Sequence, residues 1–188
     1  MDLWLVVGLG NQGARYEGTR HNIGAHVVEE LAARNGASLK AHKSRARVAE
    51  TRLGTLPGGA PGPRVVLAVP TCWMNESGGP TKALAQFYKV PPARVLVLHD
   101  DLDLDLGQVK VKAGGGEGGH NGLRSISSAF GTRDYPRLRL GIGRPPGRMQ
   151  PADFVLKAFG SKEAIDVEFL VGDAEDEVAR IVTGGEIA

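Results

Sequence analysis

The run Val95-Leu96-Val97-Leu98 does most to limit what this chain can fold into. It is continuously apolar, so both of its faces must be buried, as in the central strand of a sheet with helices on each side. Leu3–Leu9, ended by Gly8 and Gly10, reads as a second buried strand. Ala46–Leu53 and Val65–Val69 read as two more, joined by the flexible turn Pro57-Gly58-Gly59-Ala60-Pro61-Gly62-Pro63. Gln108–Lys112 alternates, and so does Arg137–Ile142, with Leu138, Leu140 and Ile142 inward and Arg137 and Arg139 outward. Helical spacing links Ile23, Val27, Val28, Leu31 and Ala32 up to Asn35-Gly36, and recurs over Pro80 to Val90 and Gly122–Phe130. It also runs from Ala152 to Val182, with breaks expected at Gly160 and Gly172. Strands mixed with helices in this way predict one α/β domain over residues 1–188.

The chain is long enough to bury a core without staples. Its one cysteine, Cys72, rules out an internal disulfide framework and points to a reducing compartment, with burial as the expected fate of the thiol. The apolar run at the N-terminus is too short for a signal peptide, and no stretch reaches membrane-spanning length. The expectation is a cytoplasmic protein with no membrane association, in which Asn75-Glu76-Ser77 carries no glycan. Net charge is only +2. Yet residues 108–148 hold eight basic residues against Glu117 and Asp134, while residues 161–188 hold eight carboxylates against Lys162 and Arg180. The acidic end reads as a solvated helix face, and the basic stretch favours a phosphate-bearing partner.

Chemistry gathers in a few polar stretches. Tyr16-Glu17-Gly18-Thr19-Arg20-His21-Asn22-Ile23-Gly24 lies between the first strand and the first helix, and its His21 can exchange a proton near neutrality. Asp100, directly off the central strand, is placed to accept the Nδ1 proton of a histidine and to stabilise the imidazolium. The carboxylates after it alternate with leucines, as on one exposed strand face. They do not form a calcium loop, since the sixth and twelfth positions from Asp101 are Leu106 and Lys112. Gly114–Gly122 resembles a phosphate-cradling loop but lacks a Lys-Ser/Thr pair, and Asn121 there is a candidate helix cap. Asn11, Asn75 and Asn121 each stand at a strand–helix junction, where they can converge on one cleft. No nucleophile signature accompanies the histidine and aspartate. The pattern suggests activation of water, with amide donors holding the carbonyl under attack.

Gly8-Leu9-Gly10-Asn11-Gln12-Gly13 spells the dinucleotide fingerprint after a strand, which makes a Rossmann-type NAD(P) enzyme the main rival reading. The fingerprint needs a helix running directly from its last glycine, whereas helical periodicity here starts only at Ile23.

Tyr16-x-x-Thr19-Arg20-His21-Asn22-x-Gly24 and Gly116-x-x-x-His120-Asn121-Gly122-Leu123-Arg124-Ser125-Ile126 resemble the two signatures of the bacterial peptidyl-tRNA hydrolase family. Gly8-Leu9-Gly10-Asn11, Met74-Asn75-x-Ser77-Gly78, His99-Asp100-x-Leu102-Asp103 and Arg139-x-Gly141-Ile142-Gly143 follow in the family's order, from Leu3 to about Phe159. Asp101 stands where the family usually has glutamate, and Cys72-Trp73 also departs from its pattern. The resemblance implies a twisted mixed β-sheet with helices on both faces (the phosphorylase-like fold), and hydrolysis of the ester joining a peptide to tRNA. It implies that His21 activates water and Asp100 orients and polarises it, while Asn11, Asn75 and Asn121 bind the peptide backbone and the oxyanion. Tyr16 and Met74 would line the cleft, and Lys112 and Arg139, with Lys110 nearby, would clamp the tRNA 5′-phosphate. The implied partner is peptidyl-tRNA, with no cofactor; no metal site is expected, and since no exposed apolar helix demands a partner the expected state is monomeric. A non-catalytic RNA-binding module on the same fold is the alternative from another class; it would have no use for His21 and Asp100.

Overall fold

Valine and leucine fill the middle strands of the computed structural model, which describes residues 2–187. The strands are β1 (Trp4–Gly8), β2 (Lys40–His42), β3 (Ala46–Arg52), β4 (Arg64–Pro70), β5 (Val95–Asp101), β6 (Val109–Lys112) and β7 (Arg137–Gly141). They form one seven-stranded sheet in the order β2-β3-β4-β1-β5-β7-β6. β4, β1, β5 and β7 run parallel, while β2, β3 and β6 are antiparallel to their neighbours, so the sheet is mixed.

Alternate residues of each central strand enter opposite cores. Val6, Leu67, Leu96, Leu98, Leu138 and Leu140 pack against α1 (Ile23–Arg34) and α5 (Ala164–Val182). Leu5, Val7, Val66, Ala68, Val95 and Val97 pack against α2 (Gly78–Phe87) and α3 (Asn121–Phe130). This is the covered-on-both-faces arrangement that the Val95–Leu98 run demands. Two glycines set how closely α1 lies on the sheet. A Cβ at Gly8 would run into the Gly24 carbonyl, and one at Gly24 into the Leu98 carbonyl. The first fingerprint glycine, Gly8, therefore serves backbone packing. Gly13 has φ 99° and leads into a short 3₁₀ turn, Ala14–Tyr16, instead of the helix a dinucleotide site requires.

Four local expectations need correcting. Arg137 does not point to solvent: it is 1% exposed, because the glycine-rich loop after β6 covers that face. Its guanidinium donates to the carbonyls of Gly116 (2.8 Å) and Arg133 (2.9 Å) and lies over the Tyr135 ring. The leucines and aspartates after Asp101 form turns, not a strand face, beginning where Asp103 N donates to Asp101 Oδ1 at 2.8 Å. Gly172 does not interrupt α5; its missing side chain would meet nothing, so the cost of about 1 kcal/mol is outweighed by packing of Leu170, Val171, Ala174 and Val178. Gly160 does break the chain there, leaving a short α4 (Pro151–Val155) before the turn Ser161–Glu163. Finally, Asn121 is not the cap of α3. His120 is, as described below. No helix among the described residues is long and apolar enough to cross a membrane.

Candidate active site

β1 and β5 are neighbours, yet the chain leaves them in opposite directions: from β1 toward β4, from β5 toward β7. Above their carboxyl ends, the loops diverge and leave a crevice, the usual ligand position in an open α/β sheet. His21 stands in the 3₁₀ turn Arg20–Asn22 between β1 and α1, and Asp100 is the penultimate residue of β5. Asn22 fixes this turn against the end of β1. Its Oδ1 accepts from Asn11 N and its Nδ2 donates to Asn11 O, each at 2.9 Å. Gly10 leaves room for that buried amide.

The Asp100 carboxylate is buried between two imidazoles. His21 Nδ1 lies 3.0 Å from both of its oxygens, and His120 Nε2 lies 2.8 Å from Oδ1. The ring of His120 has a fixed tautomer. Its Nδ1 accepts from the backbone N–H groups of Gly122 (3.1 Å) and Leu123 (3.3 Å), so Nε2 carries the hydrogen and donates it to Asp100. Burial by itself would raise the Asp100 pKa. The positive character of His21 and His120, with their hydrogen bonds, outweighs it and holds the carboxyl well below its usual range. An ionised Asp100 in turn favours the Nδ1–H tautomer of His21. His21 Nε2 then keeps its lone pair and has no protein partner among the described residues, the arrangement of a general base.

A third imidazole, this one buried, backs the first two. His99 donates from Nδ1 to the Asp100 carbonyl at 2.8 Å, and its ring centroid lies 5.1 Å from that of His120. Burial, and then the neighbouring His120, push its pKa down from 6.5 to about 4. Elsewhere, burial pushes the Cys72 thiol up, in keeping with an inert position.

A cleft of about 510 Å³ opens beside the histidine pair. Of the residues singled out in the sequence, His21, Asp100, Asn121, Lys112 and Arg139 line it. Lys110 faces Arg139 across the antiparallel β6–β7 ladder, so it shares that sheet face but is exposed beyond the lining. Arg139 Nε is bonded to Asp101 Oδ2 at 2.8 Å, which leaves its terminal nitrogens for an anion. Asp103 accepts from Nη2 of Arg144. The other residues are not in the lining of the cleft. Asn11 Oδ1 accepts from Met74 N at 2.7 Å, so its amide N–H₂ is the part left for a ligand. Met74 is buried, with its sulfur beneath Gly122. Tyr16 packs edge-on against the exposed Trp73, with ring centroids 5.9 Å apart. Asn75 is exposed in the turn Met74–Glu76.

Sequence reasoning missed His120, Asn22, His99 and Arg137 as parts of this site. Each stood inside a stretch already under suspicion; what was hidden was the partner of each ring, amide or guanidinium.

His21 Nδ1, His120 Nε2 and an Asp100 oxygen lie within 4.8 Å of one another, close enough to share a cation. Each nitrogen already has a hydrogen bond to the carboxylate, and the arrangement is complete as a proton-handling group. What the arrangement can do chemically is activate a water at His21 Nε2 next to a cationic wall.

Comparisons with known proteins give the family. A family profile described as "Peptidyl-tRNA hydrolase" matches residues 5–188. The chain is 60% identical over 184 residues to a peptidyl-tRNA hydrolase of Kineococcus radiotolerans, covering 98% of this chain and 93% of that one. It is 52% identical to the peptidyl-tRNA hydrolase of Mycobacterium avium, covering 96% and 92%. A crystal structure of the peptidyl-tRNA hydrolase from Acinetobacter baumannii superposes with a TM-score of 0.78 at 33% identity, covering 99% and 97%. A methylthioadenosine nucleosidase of Arabidopsis thaliana, at TM-score 0.55 and 9% identity, shares the fold alone. With the paired signatures, the full-length matches and the sheet all in agreement, the chain belongs to the peptidyl-tRNA hydrolase family.

Proposed function

We propose that this protein hydrolyses the ester between peptide and tRNA in peptidyl-tRNA, and so recycles tRNA from chains dropped during translation. His21 Nε2 takes a proton from water, and Asp100 holds the ring and stabilises the imidazolium that forms. The attacked carbonyl develops negative charge, which the free amides of Asn11 and Asn121 are suited to receive, with Asn75 at the rim. Tyr16 and Met74 border the path of the peptide. Lys112 and Arg139, with Lys110 outside them, offer a phosphate site for the acceptor end of the tRNA. The ribose oxygen leaves with the proton held by His21. No step requires a metal or a cofactor, and the reading makes the protein a cytosolic monomer.

The observation that carries this reading is the 3.0 Å contact of His21 Nδ1 with Asp100, at the edge of a cleft walled by Lys112 and Arg139. A non-catalytic RNA-binding module would need the cations but not the buried imidazole–carboxylate pair. The test is release of N-acetylated amino acid from charged tRNA by the purified protein, with and without chelator. Release in both conditions is expected. No release, or release abolished by the chelator, contradicts the mechanism.

A further inference from the structure

Arg20 is a buried cation that the chemistry above does not use. Its guanidinium carbon lies 4.0 Å from the ring centroid of Phe154 and 5.4 Å from that of Phe159. Nη1 donates to the carbonyls of Phe154 (3.3 Å) and Lys157 (3.4 Å), and Nη2 donates to Glu163 Oε1 at 2.9 Å. The backbone adds to this: Arg20 N donates to Lys157 O at 3.0 Å, and Thr19 forms a β-bridge with Ala158. Every partner belongs to the stretch 154–163 that follows β7. The start of the same stretch puts Gln150, Pro151, Ala152 and Val155 into the wall of the cleft. On the other side, the next residue along the chain is His21. One buried side chain thus ties the cleft wall to the loop that presents the imidazole.

We propose that Arg20 is a positioning residue that sets the separation between the 150–155 wall and His21, and with it how tightly substrate is held. The inference rests on His21 being the base, and it gives Arg20 no part in the proton transfer. The geometry needs a planar fork. Lysine retains the charge but cannot bond two carbonyls and a carboxylate while stacked flat on Phe154. With lysine the wall loosens, while His21 keeps its place through Asp100 and through the clamp of Asn22 on Asn11.

Arg20→Lys and Glu163→Gln in the full chain test this, with kcat and KM for release of N-acetylated amino acid and amide hydrogen exchange across 151–158. Arg20→Lys is expected to raise KM about tenfold and leave kcat within about threefold, the pattern of binding lost equally from ground and transition states. Exchange across 151–158 should quicken by about tenfold as local opening becomes easier. Glu163→Gln should raise KM in the same direction, by about two- to threefold, since it weakens one partner of the guanidinium and leaves both carbonyl bonds in place. Faster exchange with unchanged KM overturns the proposal, leaving Arg20 a purely structural strut. A fall in kcat with KM constant also overturns it, because Arg20 would then act on His21 and not on the wall. Should Arg20→Lys fail to fold, Glu163→Gln decides, and an unchanged KM there refutes the idea. A wild-type protein that releases nothing removes the base assignment itself, a failure visible before any variant is made.

Discussion

His99 is an imidazole that the fold must keep uncharged, and acid should reveal it. The ring is 4% exposed, Nδ1–H donates to the Asp100 carbonyl, and Nε2 is buried without a hydrogen-bond partner among the described residues. Its pKa in the fold is about 4, against 6.5 for a free imidazole. Between those values the unfolded chain binds the extra proton and the folded chain does not. The contribution is therefore complete above pH 6.5 and is lost as the pH falls toward 4. A gap of about 2.5 pH units corresponds to on the order of 3 kcal/mol. His99→Asn removes the titration but can keep the bond, because the amide nitrogen can donate to the Asp100 carbonyl in place of Nδ1. The lost ring volume costs about 2–4 kcal/mol at every pH. Urea unfolding of both proteins from pH 7 to pH 4 is the assay. Wild type should start ahead, and its lead should shrink by on the order of 3 kcal/mol as the pH falls. His21, His120 and Asp100 are present in both proteins and cancel to first order. Parallel curves would refute the buried neutral ring.

The other expectations concern the cationic wall and the seat of α1. Lys112→Ala or Arg139→Ala should weaken tRNA binding and reduce the slope of log affinity against log salt by about one; an unchanged slope removes that residue from the phosphate site. Asp101→Asn frees Arg139 from its carboxylate. It should tighten tRNA binding a few-fold at low salt, with the gain vanishing at high salt; weaker binding contradicts the reading. Gly24→Ala drives a methyl into the Leu98 carbonyl. It should destabilise the protein by about 1–3 kcal/mol in a denaturant melt and slow turnover with it, and a neutral effect would show that α1 can lift off the sheet without consequence.

The sheet was legible because its central strands are buried on both faces. Val95–Leu98 and Leu3–Leu9 leave no other solution, and the spacing from Ile23 to Ala32 marks a helix laid across them. The elements that were misread lie where tertiary contacts override a local pattern. Arg137 follows the alternation of an outward residue, but the glycine-rich loop folds over it and supplies carbonyls for its charge. The aspartate–leucine alternation after Asp101 imitates a strand, whereas Asp103 N bonding back to Asp101 starts a turn. β2 is only Lys40–His42, too short and too polar to carry a periodic signal. At the site, His21 was noticeable because it stands in a polar stretch between the first strand and the first helix, and Asp100 because it comes at the end of the buried central strand. The second imidazole was not: His120 was masked by the glycines around it, and although its capping of α3 is local, its bond to Asp100 is a contact across twenty residues of chain.

The central claim is that His21, oriented by Asp100, draws the proton from the attacking water. Single-turnover release of N-acetylated amino acid from tRNA by His21→Ala, with tRNA affinity measured on the same preparation, tests it most directly. The rate should fall by about 10²–10⁴-fold, with the affinity within about twofold of wild type. Release at the wild-type rate, with tRNA equally well bound, would contradict it.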